Sequence, residues 1–381
     1  MDKKELKEKY NEHFEDTGLN EVTISAPKAV KLIGDHTEYN NGYIISAAID
    51  REVTGHFQLR DDDKIKLVSI DFEQSFETNL DDLEAKNTWN IDILSTVKEL
   101  IKRDNNIQGF NMIINGDGNY YDDFGYKNAL QLITVKGLSF LNNLNLKSKQ
   151  ILSIIQSTFD DFNEKINYYT IQNTKKNNLL LFDSENYEAE KIPFNDEKYQ
   201  ILITGLKNNS DKYKEEYKAS LTNFDNIINF FDEEVDEKIE TLRDININEL
   251  FIYENKFNED EYNKAVHVLT ENRRVLDFAS SLERENYQKA GRLIYASYLS
   301  VKNEFNIENK KTGFLVDKTN NLDGVLGTKV SYSGFGNYTI SIIEKEKSNE
   351  IVDKIKKIYS NKYNDQPNFY LINTADGISK I

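Results

Sequence analysis

The stretch APKAVKLIGDHTEYNNGYIISAAIDREV, residues 26–53, decides how the fold of this chain is interpreted. It contains two apolar runs that are typical of β-strands, VKLI at 30–33 and YIISAAI at 43–49. The segment between them, GDHTEYNNG at 34–42, is rich in the Gly, Asp and Asn residues that favour turns. Taken alone, this acidic, turn-rich loop favours a solvated surface segment with Asx turns.

Outward from this loop, predicted strands and helices are mixed along the whole chain, which predicts an α+β fold. Further strands are predicted at 22–26, 52–60, 64–70, 109–115, 179–183, 199–205 and 368–374, and helices at 4–14, 91–103, 128–141, 222–243, 262–283 and 348–359. The helix at 262–283 is predicted to face inward with Ala265, Val266, Leu269, Val275, Phe278 and Leu282. A boundary near residue 200 is expected to separate two α+β domains, 1–200 and 201–381.

The composition excludes several classes of function. The 381-residue chain has a formal net charge of −17, whereas nucleic-acid binders and anionic-membrane binders need a basic surface. It has no cysteine, which excludes disulfides, thiolate metal sites and a cysteine nucleophile. We see no apolar run long enough to span a membrane and no signal peptide, and we therefore expect a soluble cytoplasmic protein.

Several of these segments together resemble the galactokinase family of the GHMP kinase superfamily. Residues 26–53 are similar to its signature, roughly APGRxNLIGEHTDYNxGxVLPxAID. The same order and spacing continue in TWN (88–90), GFNMIINGD (109–117), STFDDF (157–162), AVHVLTENRRV (265–275) and GVLGTKVSYSGFGNYTISII (324–343). The resemblance implies a GHMP-kinase-like fold of two α+β domains with the site in the cleft between them.

The residues that the resemblance assigns to sugar binding are retained or conservatively replaced. It implies that Asp35, His36 and Glu38 hold the hydroxyls of galactose or a related monosaccharide. Asp160 falls at the family's catalytic base, and the resemblance also assigns it to sugar binding. Tyr213 matches a sugar-contacting tyrosine once a one-residue gap is allowed. Carboxylates suit a polyol because they accept hydrogen bonds from its hydroxyls. His36 also fits a packed core histidine.

The residues on the nucleotide side are not retained. GDGNYYDDFGYKNA (116–129) lies without a gap on the family's phosphate loop, GDxPxGxGLSSSAA. A proline, two glycines and three serines of that loop are replaced by Asn119, by Tyr121 and Asp123, and by Gly125, Tyr126 and Lys127. A carboxylate about 4 Å from a phosphate charge costs roughly 4 kcal/mol at an effective dielectric constant near 20. The loop is therefore predicted to repel a nucleotide, as in a degenerate member of the family.

A second change affects the same side independently. Ala29 stands where the family has the arginine that flanks the reacting phosphate. Lys28 or Lys31 could restore a cation there, although neighbouring side chains of a strand point to opposite faces. Losing a positioned cation costs several powers of ten in the rate of phosphoryl transfer.

Three hypotheses follow. The first is a sugar-binding pseudokinase, a sensor or regulator that needs no cofactor or metal. The second is an active galactokinase that uses Mg-ATP and Asp160 to phosphorylate the C1 hydroxyl. The third is a non-catalytic interaction scaffold whose protein partner the sequence does not identify.

Overall fold

The computed structural model describes most of the chain. The described stretches are residues 3–84, 89–116, 124–158, 162–206, 219–307, 309–331 and 337–381, with side chains from residue 165 onward in the fourth stretch. By compactness the chain groups into two units. The first comprises Met1–Val30, Ala48–Lys176 and Ala375–Ile381, and the second comprises Lys31–Ala47 and Asn177–Thr374. The simple division at residue 200 stays a prediction, and the compact units are interleaved in sequence.

The first unit contains most of a mixed sheet. Its strands are β1 (Glu21–Ile33), β2 (Tyr43–Leu59), β3 (Lys64–Ser69), β4 (Gln74–Asn79), β5 (Phe110–Gly116) and β12 (Ser379–Lys380). Their order is β12-β1-β2-β5-β3-β4. β5 pairs antiparallel with β2 and parallel with β3. The division between the units falls within β1 and β2, since both strands continue into the second unit in sequence.

Helices and a large apolar core complete the first unit. The helices are α1 (Lys3–His13), α2 (Ile91–Lys102), α3 (Tyr126–Leu141), α4 (Ser148–Gln156) and α5 (Phe162–Asn173). The 3.6-residue period predicts a face of α2 made of Ile93, Leu94, Val97, Leu100 and Ile101; the first four are fully buried, whereas Ile101 is half-buried. These side chains pack in one core with Trp89, Phe57 and much of α3. Burial of this apolar surface is the main force that holds the unit together.

The second unit contains a small extension of the first sheet and a sheet of its own. Residues 43–46 of β2 pair with β6 (Asn178–Asp183), which pairs with β7 (Glu188–Pro193). The separate sheet contains β8 (Tyr199–Gly205), β9 (Val325–Ser331), β10 (Tyr338–Glu344) and β11 (Asn368–Ile372). Its order is β11-β8-β10-β9, and all its pairings are antiparallel.

The described helices of the second unit include two long ones that support the candidate site. They are α6 (Asp225–Glu234), α7 (Ile247–Ile252), α8 (Glu259–Glu283), α9 (Tyr287–Glu304), α10 (Lys310–Thr319) and α11 (Ser348–Tyr363). The Asn258 side chain caps α8 by accepting a hydrogen bond from the Glu261 amide at 2.8 Å. α9 lies directly against β9, because a Cβ atom on Gly327 would approach the Gly291 carbonyl oxygen to 1.9 Å.

Five predicted elements, four strands and one helix, differ from the structure. The strands predicted on either side of APKA form one continuous strand, β1, and those predicted at 43–49 and 52–60 form β2. The helix predicted at 222–243 is wrong in length, since α6 ends at Glu234. Val235 adopts extended backbone, and the Asp232 carboxylate accepts a hydrogen bond from the Ile239 amide at 2.9 Å. This local side-chain hydrogen bond competes with the helix and turns the chain.

Candidate functional site

The loop between β1 and β2 has a tight, closely specified backbone. Gly34 has a φ of +99°, and a Cβ atom there would lie 2.5 Å from the Tyr43 carbonyl oxygen. His36 is also left-handed, with a φ of 62°. The Thr37 hydroxyl lies 2.9 Å from the Gly34 carbonyl oxygen and 2.8 Å from that of Tyr43. The fold therefore requires glycine at position 34, and the loop presents Asp35 and Glu38 in fixed directions.

Two lysines neutralise the two carboxylates of this loop. The Lys31 ammonium lies 3.0 Å from Asp35 Oδ1 and 2.9 Å from Glu38 Oε1. Lys329, on β9, pairs with Asp35 Oδ2. All four side chains are at most 4 % exposed. The result is a buried group of two carboxylates and two ammonium groups whose formal charges cancel.

For Asp35 and Lys31, the ion pairs outweigh the cost of burying a charged group. Burial by itself raises the pKa of Asp35, but the Lys329 and Lys31 ammonium groups hold that pKa well below its usual range. Burial by itself lowers the pKa of Lys31, but Glu38 and Asp35 raise that pKa above its usual value. Asp35 and Lys31 are therefore both charged at neutral pH. Together they offer acceptors and donors of hydrogen bonds in one place.

His36 lies in the interior of the second unit. It is 0 % exposed and stacks on Phe305 with ring centroids 3.8 Å apart. Its Nδ1 lies 2.7 Å from the Tyr39 hydroxyl. Burial, and then the neighbouring His267, lower the pKa of His36 well below its usual value, which keeps the ring neutral. This packing agrees with the core-histidine alternative, while contact with a sugar stays a prediction.

Helix α8 fixes the backbone of this loop. Its residues His267, Glu271 and Asn272 are at most 7 % exposed, and each lies within hydrogen-bond distance of a backbone atom of the loop. The sequence interpretation assigned no role to these residues or to Lys329. A signal was nevertheless present, because polar residues at i, i+4 and i+5 interrupt the apolar side of a predicted helix.

On the nucleotide side, the structure describes part of the loop and the strand beside it. Gly125 is left-handed, with a φ of 71°, and immediately precedes α3. The Ala29 amide donates a hydrogen bond to the Phe124 carbonyl oxygen at 2.9 Å. The strand position that carries the family's arginine therefore lies directly beside the start of α3, within the first unit.

Tyr126 belongs to the core of the first unit. It is 0 % exposed, and its ring occupies the space beside Gly116, where a Cβ atom would lie 2.3 Å from Tyr126 Cε2. Burial, and then the nearby Asp71 carboxylate, raise the pKa of the Tyr126 hydroxyl. Lys28 is also buried, and its ammonium lies 5.2 Å from the centroid of the Tyr126 ring. Lys127 is half-buried in the first turn of α3.

The structure thus locates some of the predicted site residues. It brings Asp35, His36 and Glu38 together on one loop, with Lys31 beside them. Lys28 and Lys31 have partners in different units. The predicted base, the predicted sugar-contacting tyrosine and three replaced loop positions lie outside the described residues: Asp160, Tyr213, Asn119, Tyr121 and Asp123.

The described residues provide neither a membrane-spanning helix nor a metal centre. In the described stretches, no helix is both long enough and apolar enough to cross a membrane. The described His, Asp and Glu side chains include no group of three that could hold a metal ion.

In sequence, the chain is similar to galactokinases. Residues 8–58 match the family model described as the galactokinase galactose-binding signature. The chain is 27 % identical to the galactokinase of Staphylococcus carnosus, with 95 % of each chain covered. It is 26 % identical to the galactokinase of Ligilactobacillus salivarius, with 99 % of each covered.

Solved structures share the fold. The crystal structure of Lactococcus lactis galactokinase complexed with galactose matches with a TM-score of 0.87 and 24 % identity, covering 99 % of each chain. Methanococcus jannaschii mevalonate kinase matches with a TM-score of 0.64 and 18 % identity, covering 94 % of this chain and 99 % of that one. These matches confirm the predicted GHMP-kinase-like α+β fold. None of the comparisons confirms that the chain is a degenerate member.

Proposed function

Because the chain belongs to the galactokinase family, we propose that it binds a galactose-type hexose and transfers a phosphoryl group from ATP to the C1 hydroxyl of that sugar. The observation that carries the proposal is the match to proteins named galactokinase over nearly the whole chain. This observation favours phosphoryl transfer over the sugar-binding pseudokinase, the first of the three hypotheses from the sequence.

The buried charged group supports the sugar-binding part of the proposal. Each hydroxyl of a hexose both donates and accepts hydrogen bonds. Asp35 and Glu38 supply acceptor oxygens, while Lys31 and Lys329 supply N–H donors within about 3 Å of them. Hydrogen bonds to ionised groups are roughly twice as strong as those between neutral groups. A polar, uncharged polyol fits such a group without adding net charge.

The transfer step needs a base and compensation for the charge of the phosphates. The resemblance assigns the base to Asp160, which would take the proton from the C1 hydroxyl. The described positions that replace the family's serines do not fit a Mg²⁺ ion, since Gly125 has no side chain, Tyr126 lies in the core and Lys127 is a cation. The positive end of α3, whose first turn YKNA has no acidic residue, suits a phosphate anion instead.

Sugar binding without transfer is the second candidate. The observation that favours it is Ala29, whose amide donates a hydrogen bond to the Phe124 carbonyl oxygen and whose methyl group offers a phosphate neither a positive charge nor a hydrogen-bond donor. Both nearby lysines have other contacts: Lys28 lies over the Tyr126 ring, and Lys31 pairs with Asp35 and Glu38. In this candidate, galactose binding would serve sensing or regulation.

Calorimetry and a coupled assay separate the two candidates. Galactose binding is measured by titration calorimetry, and ADP release is measured with galactose and Mg-ATP in the same preparation. We expect both, with Asp160→Asn keeping galactose binding and losing ADP release. Binding without ADP release from any nucleotide would favour the second candidate. If neither occurs, both candidates fail and the scaffold hypothesis gains.

A further inference from the structure

Helix α8 contacts the backbone of the loop between β1 and β2, including Tyr43 at the start of β2, at three points, all within the second unit. The Gly34 amide donates to Glu271 Oε1 at 3.0 Å, and the Tyr43 amide donates to Asn272 Oδ1 at 2.9 Å. His267 Nε2 lies 2.9 Å from the Asp35 carbonyl oxygen. The first two contacts hold the two ends of the loop, and the third holds the backbone of Asp35 itself.

The chemistry of the His267 contact fixes the tautomer of the ring. A carbonyl oxygen only accepts hydrogen bonds, so Nε2 must carry the proton and donate. Nδ1 is then the acceptor, and it lies 2.8 Å from the Ser300 hydroxyl, which donates to it. Burial lowers the pKa of His267, which agrees with a neutral ring that has a single N–H. The helix α9 residue Ser300 thus orients His267, and His267 orients the Asp35 peptide.

Glu271 provides the contact whose acceptor is a carboxylate. Its Oε1 also accepts a hydrogen bond from the Ser297 hydroxyl at 2.6 Å, and its Oε2 pairs with Arg274. Burial by itself raises the pKa of Glu271, but the Arg274 guanidinium lowers it below its usual value. The carboxylate is therefore ionised and accepts a charge-assisted hydrogen bond from the Gly34 amide.

The loop needs such external contacts because its own conformation is costly. A left-handed residue other than glycine, such as His36, is uncommon and persists where the surroundings hold it in place. The Asp35 carboxylate lies between left-handed Gly34 and left-handed His36. Small rotations of either neighbour would move Asp35 away from Lys31 and Lys329.

We propose that His267, Glu271 and Asn272 are positioning residues, which hold the loop in the conformation that directs Asp35 and Glu38 toward a bound sugar. This inference rests on the proposed sugar binding, but the loop-holding part of it has a test of its own. None of the three residues has to contact the sugar for the proposal to apply.

His267→Leu and His267→Gln form the main test. Leucine removes the donor to Asp35, whereas the terminal amide of glutamine can place an N–H near the position of Nε2. Tyr287→Phe is the matched control, because it removes a different hydrogen bond of the second unit, in which the Tyr287 hydroxyl accepts from the Asn195 amide at 2.7 Å. All three variants are compared with the wild-type chain.

Hydrogen exchange and galactose affinity are the two measurements. We expect exchange in the peptide covering residues 34–43 to accelerate by about tenfold in His267→Leu, to return toward the wild-type rate in His267→Gln, and to stay unchanged in Tyr287→Phe. We expect the galactose affinity measured by calorimetry to fall by about tenfold in His267→Leu, to return toward the wild-type value in His267→Gln, and to stay unchanged in Tyr287→Phe. General destabilisation alone would not produce this pattern, because Tyr287→Phe also loses a hydrogen bond of the second unit and is expected to keep the wild-type exchange and affinity.

The outcomes distinguish failure of the loop-holding proposal from failure of the proposed galactose binding. Unchanged exchange in His267→Leu would overturn the proposal, and so would faster exchange with unchanged galactose affinity. If the wild-type chain binds no galactose, the proposed function fails. Exchange alone then tests loop holding: acceleration in His267→Leu that glutamine reverses supports it, and no acceleration contradicts it.

Discussion

Replacing Lys31 with methionine tests the buried charged group directly. Methionine keeps an apolar chain of similar length and removes the ammonium group. That ammonium lies 3.0 Å from Asp35 Oδ1 and 2.9 Å from Glu38 Oε1. At an effective dielectric constant near 20, each attraction is worth about 5–6 kcal/mol before the cost of burying the charges is counted.

The net effect is smaller than the sum of the attractions. Burying an ammonium ion costs several kcal/mol, and the methionine variant escapes that cost. It also removes the ion pair between Lys31 and Glu38, whereas the ion pair between Asp35 and Lys329 is kept. Removing one partner of a buried ion pair typically costs about 3–5 kcal/mol, and we expect Lys31→Met to lower the free energy of unfolding by this amount.

Urea unfolding at pH 7, followed by circular dichroism, measures the change. The control is Lys354→Met, which removes the partly exposed ion pair of Lys354 with Glu350 at 2.6 Å. We expect less than about 1 kcal/mol for such a surface pair. Equal losses in the two variants, or a loss below about 1 kcal/mol in Lys31→Met, would refute the account of a strongly coupled buried group.

Three further outcomes follow from the structure. Since the folded-state pKa of Asp35 is depressed, the stabilising contribution of Asp35 is present above about pH 4, the usual pKa of aspartate, and is lost as the pH falls below that value. Measurements of unfolding at decreasing pH should show this loss of stability, and Asp35→Asn should make the loss smaller. Gly34→Ala should destabilise the chain and abolish galactose binding. Gly18 is also left-handed, but a Cβ atom there would have nothing within 4 Å, so Gly18→Ala should cost only the backbone strain. Calorimetry with galactose that found the two variants alike would contradict this. Gly116→Ala places a Cβ 2.3 Å from the ring of buried Tyr126 and should cost about 1–3 kcal/mol, which a melting temperature equal to the wild-type value would contradict.

The local pattern predicted much of the fold because it reflects local forces. The periodicity of residues 91–103 identified the buried face of α2, and the turn residues of GDHTEYNNG located the loop that carries Asp35 and Glu38. The strand breaks predicted near APKA and near Asp50 were wrong, since β1 and β2 are continuous through both places. Pairing with neighbouring strands, which the local sequence does not show, keeps these segments extended.

The contacts of the candidate site depend on pairs that are distant in sequence. Lys329 and Asp35 are separated by 294 positions, and no local pattern indicates that they meet. The inward face of α8 was only partly predicted, because Ala265 and Val275 are buried whereas Val266 and Leu269 are half-buried. The face is rotated toward buried polar residues, and a hydrophobic pattern alone does not identify a helix face that is selected for hydrogen bonding.

The most direct test of the proposed function is detection of the product. Phosphorus NMR follows a mixture of the purified chain, galactose and Mg-ATP over time. The proposal predicts that the γ-phosphate signal of ATP declines while signals of ADP and of a sugar 1-phosphate rise in equal amounts. An unchanged ATP spectrum in a preparation whose calorimetry shows galactose binding would contradict it.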